Sequence, residues 1–199
     1  KLKNPAAQLV HGALMVFIDA LGTNNTAYLA ENEVNLKRQK TECIDKLSSI
    51  FGDDLSIYVN ASNKYNFDNS DIHIGMFTYS KNLGIVEGTT FTIDAPTTAR
   101  NLMRVTRAMQ VNKPILLEGS PGVGKTSLIT ALASLTGNKL TRINLSEQTD
   151  LIDLFGSDAP GERSGEFVWH NAPFLKAMQE GHWVLLDEMN LASQSVLEG

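Results

Sequence analysis

The chain has 199 residues, 42% apolar and 20% charged, with a net charge of −5 at neutral pH. This composition excludes a largely disordered chain, and 15 Gly with 6 Pro are too few for collagen-like or low-complexity material. The acidic balance disfavours a broadly basic surface built to neutralise nucleic-acid phosphates, so direct nucleic-acid binding is not indicated. The single cysteine, Cys43, has no partner for an internal disulfide, which fits a reducing compartment. The longest greasy stretch, Ala13 to Leu21, is too short for a membrane span and is broken by Asp19. The first residues lack the basic, apolar and small-residue order of a signal peptide.

In chain order, Asn4-Pro5 predicts a helix start, and Leu9, Val10, Ala13, Leu14, Phe17, Ile18 and Leu21 recur on one face until Gly22. A weaker helix is expected around Thr26–Leu36 and another through Ile44, Leu47, Ile50 and Phe51, stopped by Gly52. Between Leu55 and Asp94 the texture becomes strand and turn: Ser56–Val59, Asp71–Tyr79 and Thr89–Ile93 are β-prone, and Asn60 to Ser70 reads as a polar loop. A domain boundary is placed near residue 88, giving segments 1–88 and 89–199.

Beyond it, Thr98 to Gln110 predicts a helix and Pro114 to Glu118 a short apolar strand. A glycine-rich turn follows, then a helix over Thr126 to Thr136 closed by Gly137 and a strand over Leu140 to Leu145. Asp150 to Phe155 reads as a short helix, Asp158 to Gly165 as turns, and Glu166 to His170 as one hairpin arm. A helix over Ala172 to Gln179 and a strand over Trp183 to Leu186 complete the pattern. Alternating strand and helix implies an α/β fold, a parallel sheet with flanking helices. The chain starts and stops in helical pattern, as a piece of something longer would.

The strongest chemical signal is Gly119-Ser120-Pro121-Gly122-Val123-Gly124-Lys125-Thr126, which matches G-x-x-x-x-G-K-[ST], the phosphate-binding loop (Walker A). Glycines let the main chain turn tightly so that its N–H groups point at phosphate oxygens, and the helix that opens there adds its positive end. Lys125 is expected to reach the β- and γ-phosphates and Thr126 to ligate Mg²⁺, with Ser127 completing the ATP-binding stretch. A chance match in a chain of this length is about one in a hundred at ordinary residue frequencies.

The second signal, Trp183-Val184-Leu185-Leu186-Asp187-Glu188, is an apolar strand ending in two acids, the Walker B pattern. Such a strand carries Asp187 to the Mg²⁺ at the sheet's carboxyl edge, and Glu188 is the candidate catalytic base for the attacking water. Asn144, Ser146, Glu147 and Asp150 stand near the end of the second strand; helix capping at Asp150 is preferred over a role facing the γ-phosphate. Asn190 either holds Glu188 or caps a helix. His11, His73, His170 and His182 lack metal-ligand spacing, and Lys37-Arg38-Gln39-Lys40 reads as a solvated face. Trp169 on the hairpin either meets a partner or folds back.

Three stretches, RxxRAxxxNKPILLEGSPGVGKTSLITALA, RINLSEQTDLIDLFGSD and EFVWHNAPFLKAMQEGHWVLLDEMNLASQSVLEG, resemble the midasin family, the dynein-like AAA+ ATPases of ribosome assembly. Residues 90–199 carry most of the resemblance, and TIDAPTTARNLMRVTRAMQ is similar to the lead-in helix of the family's modules. The resemblance implies an ATP- and Mg²⁺-dependent P-loop NTPase core over 89–199, preceded over 1–88 by the helical lid and connecting strands of another module. It implies a ring of such modules in one polypeptide, with neighbouring modules, pre-ribosomal particles and assembly factors as partners, and a nuclear location. It carries the family's phosphate loop onto Gly119 to Thr126, its metal aspartate onto Asp187 and its catalytic glutamate onto Glu188.

The family's next strand, sensor residue and arginine finger would follow Gly199, so the chain by itself is expected to be inactive. The missing strand would separate Pro114–Glu118 from the Walker B strand and leave Pro114–Glu118 unpaired. A nucleotide-binding structural module without turnover, and a MoxR-like ATPase, are the alternatives.

Overall fold

A computed structural model describes residues 5–52, 55, 65–67, 71–74, 77–80, 95–163 and 165–198. Among these, two compact units separate: the first runs through residue 80 and resumes from 95 to 118, and the second begins at Gly119.

In the first unit, helix α1 (Pro5–Ala13) runs on into a π-helical turn, Leu14–Asp19. Val10, Leu14 and Ile18 are buried, the inward face the apolar spacing predicts. Leu9 and Phe17, expected on that same face, are exposed instead, as is Val16; at Phe17 the wider π-helical turn Leu14–Asp19 departs from the 3.6-residue period on which the expectation rests. The helix expected over Thr26–Leu36 is instead split. A 3₁₀ turn covers Asn24–Leu29, and a long helix α2 (Glu33–Phe51) starts where the Asn32 side chain accepts from the Val34 and Asn35 amides at 3.1 and 3.2 Å. A polar cap with two amide contacts outweighs the weak apolar periodicity across residues 30–32. Gly52 ends α2 at φ 75°, a left-handed stop. Leu47 and Leu55 join Val10, Leu14 and Ile18 in one core, with Cys43 packed against it as a small apolar residue.

Strands β1 (Tyr65–Phe67), β2 (Asp71–Ile74) and β3 (Phe77–Ser80) form an antiparallel meander. The run expected as Asp71–Tyr79 is thus a hairpin of two strands. β1 lies inside the stretch expected to be a polar loop, because pairing with β2 supplies what its own composition does not. The expected strands Ser56–Val59 and Thr89–Ile93, and Asn4 at the helix start, lie outside the described residues.

Helix α3 (Pro96–Ala108) buries Ala99, Leu102 and Val105. It is tied to the first unit by polar contacts as well. Arg107 donates to the Asp19 carboxylate, Arg104 Nη2 donates to the Asp19 carbonyl at 3.1 Å, and the Tyr79 hydroxyl donates to the Thr106 carbonyl at 2.9 Å. The boundary expected near residue 88 lies outside the described residues, and α3 groups with the N-terminal elements rather than with the glycine loop that follows it. Burial pushes the Lys40 ammonium down, and the charges of Arg104 and Arg100 push it the same way against the pull of Asp19.

In the second unit, helix α4 (Lys125–Thr136) buries Leu128, Ala131, Leu132, Ala133 and Thr136 and stops at Gly137. β4 (Leu140–Asn144) and β7 (Trp183–Asp187) pair in parallel, Leu140 opposite Trp183 through Asn144 opposite Asp187. Helix α5 (Leu151–Phe155) carries a capping box between Asp150 and Asp153. β5 (Gly156–Pro160) and β6 (Phe167–Asn171) form an antiparallel hairpin. Its first arm starts at the glycine expected only to close α5 and runs through 158–160 into the region expected as turns, since Gly-Ser-Asp-Ala-Pro has no strand propensity of its own. Helix α6 (Pro173–Glu180) ends at Gly181, φ 71°, and α7 (Gln194–Glu198) follows β7. Leu145, Leu154 and Val196 form the core, with Ile143, Phe155, Phe174 and Leu186 packed on it.

The expected strand Pro114–Glu118 forms no ladder with any described strand, and Ile115 and Leu116 are exposed. An apolar segment becomes a strand only when a neighbour completes its hydrogen bonds, and β4 and β7 complete only each other's.

Candidate functional site

The glycine loop leads directly into α4. Gly122 and Gly124 sit at φ 77° and 85°, and a Cβ on either would meet nothing within 4 Å. The requirement for glycine there is therefore conformational: the backbone is left-handed, which L side chains disfavour by about 1–2 kcal/mol. Gly119, Ser120, Pro121, Gly122, Val123 and Ser127 are exposed, whereas Gly124, Lys125 and Thr126 are half-buried at the helix start. Lys125 Nζ donates to the carbonyls of Gly119 and Ser120 at 2.7 and 3.0 Å, so the loop closes on its own lysine.

Parallel pairing brings the end of β7 to the end of β4, and the Leu145 amide donates to the Asp187 carbonyl at 2.9 Å. Thr126 Oγ1 donates to Asp187 Oδ2 at 3.1 Å across 61 positions of sequence. The glycine loop and the acidic pair thus share one edge of the second unit. Desolvation pushes the Asp187 carboxyl up, but the hydrogen bonds from Arg142, Thr126 and the Glu188 amide, with the Arg142 charge, hold it below the usual carboxylate range.

Glu188 follows with an exposed side chain and with φ 57°, ψ 41°, a left-handed backbone otherwise confined to glycine among the described residues. Its amide donates to Asp187 Oδ1 at 3.2 Å. Such a conformation costs on the order of 1–3 kcal/mol and persists where the surroundings hold it, here between β7 and the 3₁₀ turn Met189–Leu191.

The other candidates separate. Asp150 Oδ1 accepts from the Leu151 amide at 2.7 Å and Asp153 Oδ2 from the Asp150 amide at 2.8 Å, so Asp150 is a helix cap. Asn144 stands opposite Asp187 in the ladder, while Glu147 and Asn190 are exposed. His182 lies against Glu180 at 3.1 Å and Thr141 at 3.3 Å, and His73 against Thr78 at 3.0 Å. His11 is buried beside Phe77. Phe167 and Trp169 are exposed on the hairpin.

Sequence reasoning missed Arg142. Its Nε and Nη2 donate to Asp187 Oδ2 at 3.0 and 2.6 Å. The available signal was strand alternation: Arg142 lies two residues before Asn144, on the face of β4 that Asn144 occupies opposite Asp187.

No group of three or more His, Cys, Asp or Glu among the described residues forms a protein-only metal cage. A hydroxyl and a carboxylate within hydrogen-bond distance are hard oxygen donors, and they suit Mg²⁺, which takes few protein ligands and completes its shell with water and phosphate.

Residues 114–199 match the AAA domain of the dynein-related subfamily. The chain is 40% identical to a midasin of Dictyostelium discoideum over its whole length, which is 4% of that relative. It is 56% identical to a midasin of Giardia intestinalis over 56% of the chain, 2% of that relative. An uncharacterized protein of Staphylococcus saprophyticus is 38% identical over 45% of the chain and 35% of its own length. The chain thus spans a few hundredths of the midasins it matches. With the phosphate loop, the parallel sheet and these matches together, the chain is of the midasin kind, an AAA+ segment with the α/β fold of the P-loop nucleotide-binding proteins.

Proposed function

We propose that this segment binds ATP with Mg²⁺ and hydrolyses it as part of a ring of AAA+ modules, and that the ring remodels nuclear precursors of the large ribosomal subunit by driving release of assembly factors. In this reading, residues 1–88 belong to the preceding module and neighbouring modules complete the site. The meeting of Thr126 with Asp187 at 3.1 Å is the observation that carries the catalytic part. The MoxR-like alternative is less favoured, because the midasin match extends over the whole chain.

Main-chain N–H groups of Gly119 to Thr126, Pro121 excepted, cradle the phosphates, with Ser127 next to them in the first turn of α4. Lys125 exchanges the neutral carbonyls of Gly119 and Ser120 for phosphate oxygens, a charge-assisted contact and the stronger one. Thr126 and Asp187 would hold the metal, which neutralises charge on the phosphates when bound. Glu188, exposed and one residue beyond, would orient a water and take its proton as the oxygen attacks the γ-phosphorus and the bond from that phosphorus to the β–γ bridging oxygen breaks, with ADP as the leaving group.

The test is single-turnover hydrolysis in the full-length protein. Glu188→Gln should retain nucleotide here and slow turnover at this site by about 100-fold or more. Lys125→Ala should abolish binding here. Unchanged turnover in Glu188→Gln would favour a structural nucleotide site, and retained affinity in Lys125→Ala would overturn the loop assignment.

A further inference from the structure

Arg142 has no part in the nucleotide chemistry above, yet it makes the shortest contact to the carboxylate at its centre. Both Nε and Nη2 converge on one oxygen, Asp187 Oδ2, at 3.0 and 2.6 Å. The same oxygen accepts the Thr126 hydroxyl at 3.1 Å, while Oδ1 accepts the Glu188 amide at 3.2 Å. A carboxylate oxygen offers two in-plane lone pairs. Three donors therefore crowd Oδ2 and leave no open direction for a second cation.

The arrangement is built by the sheet. In the β4–β7 register Arg142 stands opposite Leu185, one step along the same face from the pair Asn144 and Asp187. The guanidinium thus reaches the carboxylate by lying along the strand, without any loop to position it. The Arg142 side chain is 58% exposed and that of Asp187 21%, so the guanidinium has water to withdraw into and the carboxylate has less.

We propose that Arg142 is a resident counter-ion of Asp187 that competes with the divalent metal for Oδ2 and so lowers the metal affinity of the nucleotide site. This rests on Thr126 and Asp187 being the metal residues. Two consequences distinguish a competing cation from a mere surface ion pair. Metal-bound nucleotide displaces the guanidinium from at least one of its two contacts. Metal-free nucleotide benefits from it, because the guanidinium neutralises an acid that otherwise repels phosphate. Arg142 therefore weakens the coupling between metal and nucleotide binding from both sides.

The experiment measures the affinity of the full-length protein for a fluorescent ADP in excess Mg²⁺ and in excess EDTA. The ratio of the two affinities is the coupling, and the difference between wild type and variant isolates this site. Arg142→Gln should raise the coupling about threefold, the scale expected of a partly exposed ion pair. Arg142→Lys, which keeps the charge but not the two-nitrogen contact, should raise it by less, and it serves alone if Arg142→Gln does not fold. An unchanged or reduced coupling in the variant overturns the inference. Asp187→Asn separates this from the underlying reading. If it leaves the wild-type coupling intact, the metal assignment itself fails. If it lowers the coupling while Arg142→Gln does not raise it, only the role of Arg142 fails.

Discussion

Replacing Gly156 with alanine tests how the hairpin is attached to helix α5. Gly156 has φ 118° and ψ −177°, a region reached almost only by glycine, and holding an alanine there costs about 1–3 kcal/mol. Space makes the cost larger. An ideal Cβ would stand 2.0 Å from the His170 carbonyl oxygen and 3.1 Å from the Ala172 nitrogen, both backbone atoms. Relief requires the strands to part at the Gly156–Asn171 pair and threatens the Ala172 amide bond to the Phe155 carbonyl, 3.2 Å, at about 1 kcal/mol for each bond lost. The combined local destabilisation is about 4 kcal/mol. Gly181→Ala is the control, because its φ is 71° but nothing lies within 4 Å of the added Cβ, leaving only the left-handed cost of about 1–2 kcal/mol. Amide hydrogen exchange on the full-length protein should show residues 157–159 and 167–171 losing protection in Gly156→Ala and keeping it in Gly181→Ala. Equal protection in the two variants would refute the steric argument.

Two further outcomes concern the first unit. Burial, then the Arg107 charge, lowers the His11 imidazole from 6.5 to about 4, so it stays neutral in the folded protein where the unfolded chain binds a proton. Its contribution is thus fully present above pH 6.5 and lost as the pH falls toward 4, up to about 3 kcal/mol in all. Melting temperature should decline between pH 6.5 and 5, before most carboxylates titrate, and His11→Phe should flatten that decline; a parallel decline in both proteins would contradict it. Asp19→Ala should cost about 3–5 kcal/mol, because it removes the carboxylate that faces the Arg107 guanidinium, whose side chain is 4% exposed. Adding Arg107→Met should restore part of that loss in denaturant unfolding, and a double variant no more stable than Asp19→Ala would count against a buried-charge penalty.

The features legible from the residues alone are local. Gly52, Gly137 and Gly181 mark helix stops because a left-handed residue favours glycine whatever surrounds it. The glycine loop, the helix it opens and the apolar strand ending at Asp187 were readable for the same reason: each is set by its own residues and spacing. Which segments found partners depended on long-range pairing. Tyr65–Phe67 and Gly156–Pro160 became strands through pairing that their compositions do not announce, while Pro114–Glu118 looks like a strand and has no ladder among the described residues. Arg142 reached Asp187 only because β4 and β7 lie side by side in one register. A strand's identity and a charge's partner depend on neighbours distant in sequence, whereas a cap or a turn carries its cause within a few residues.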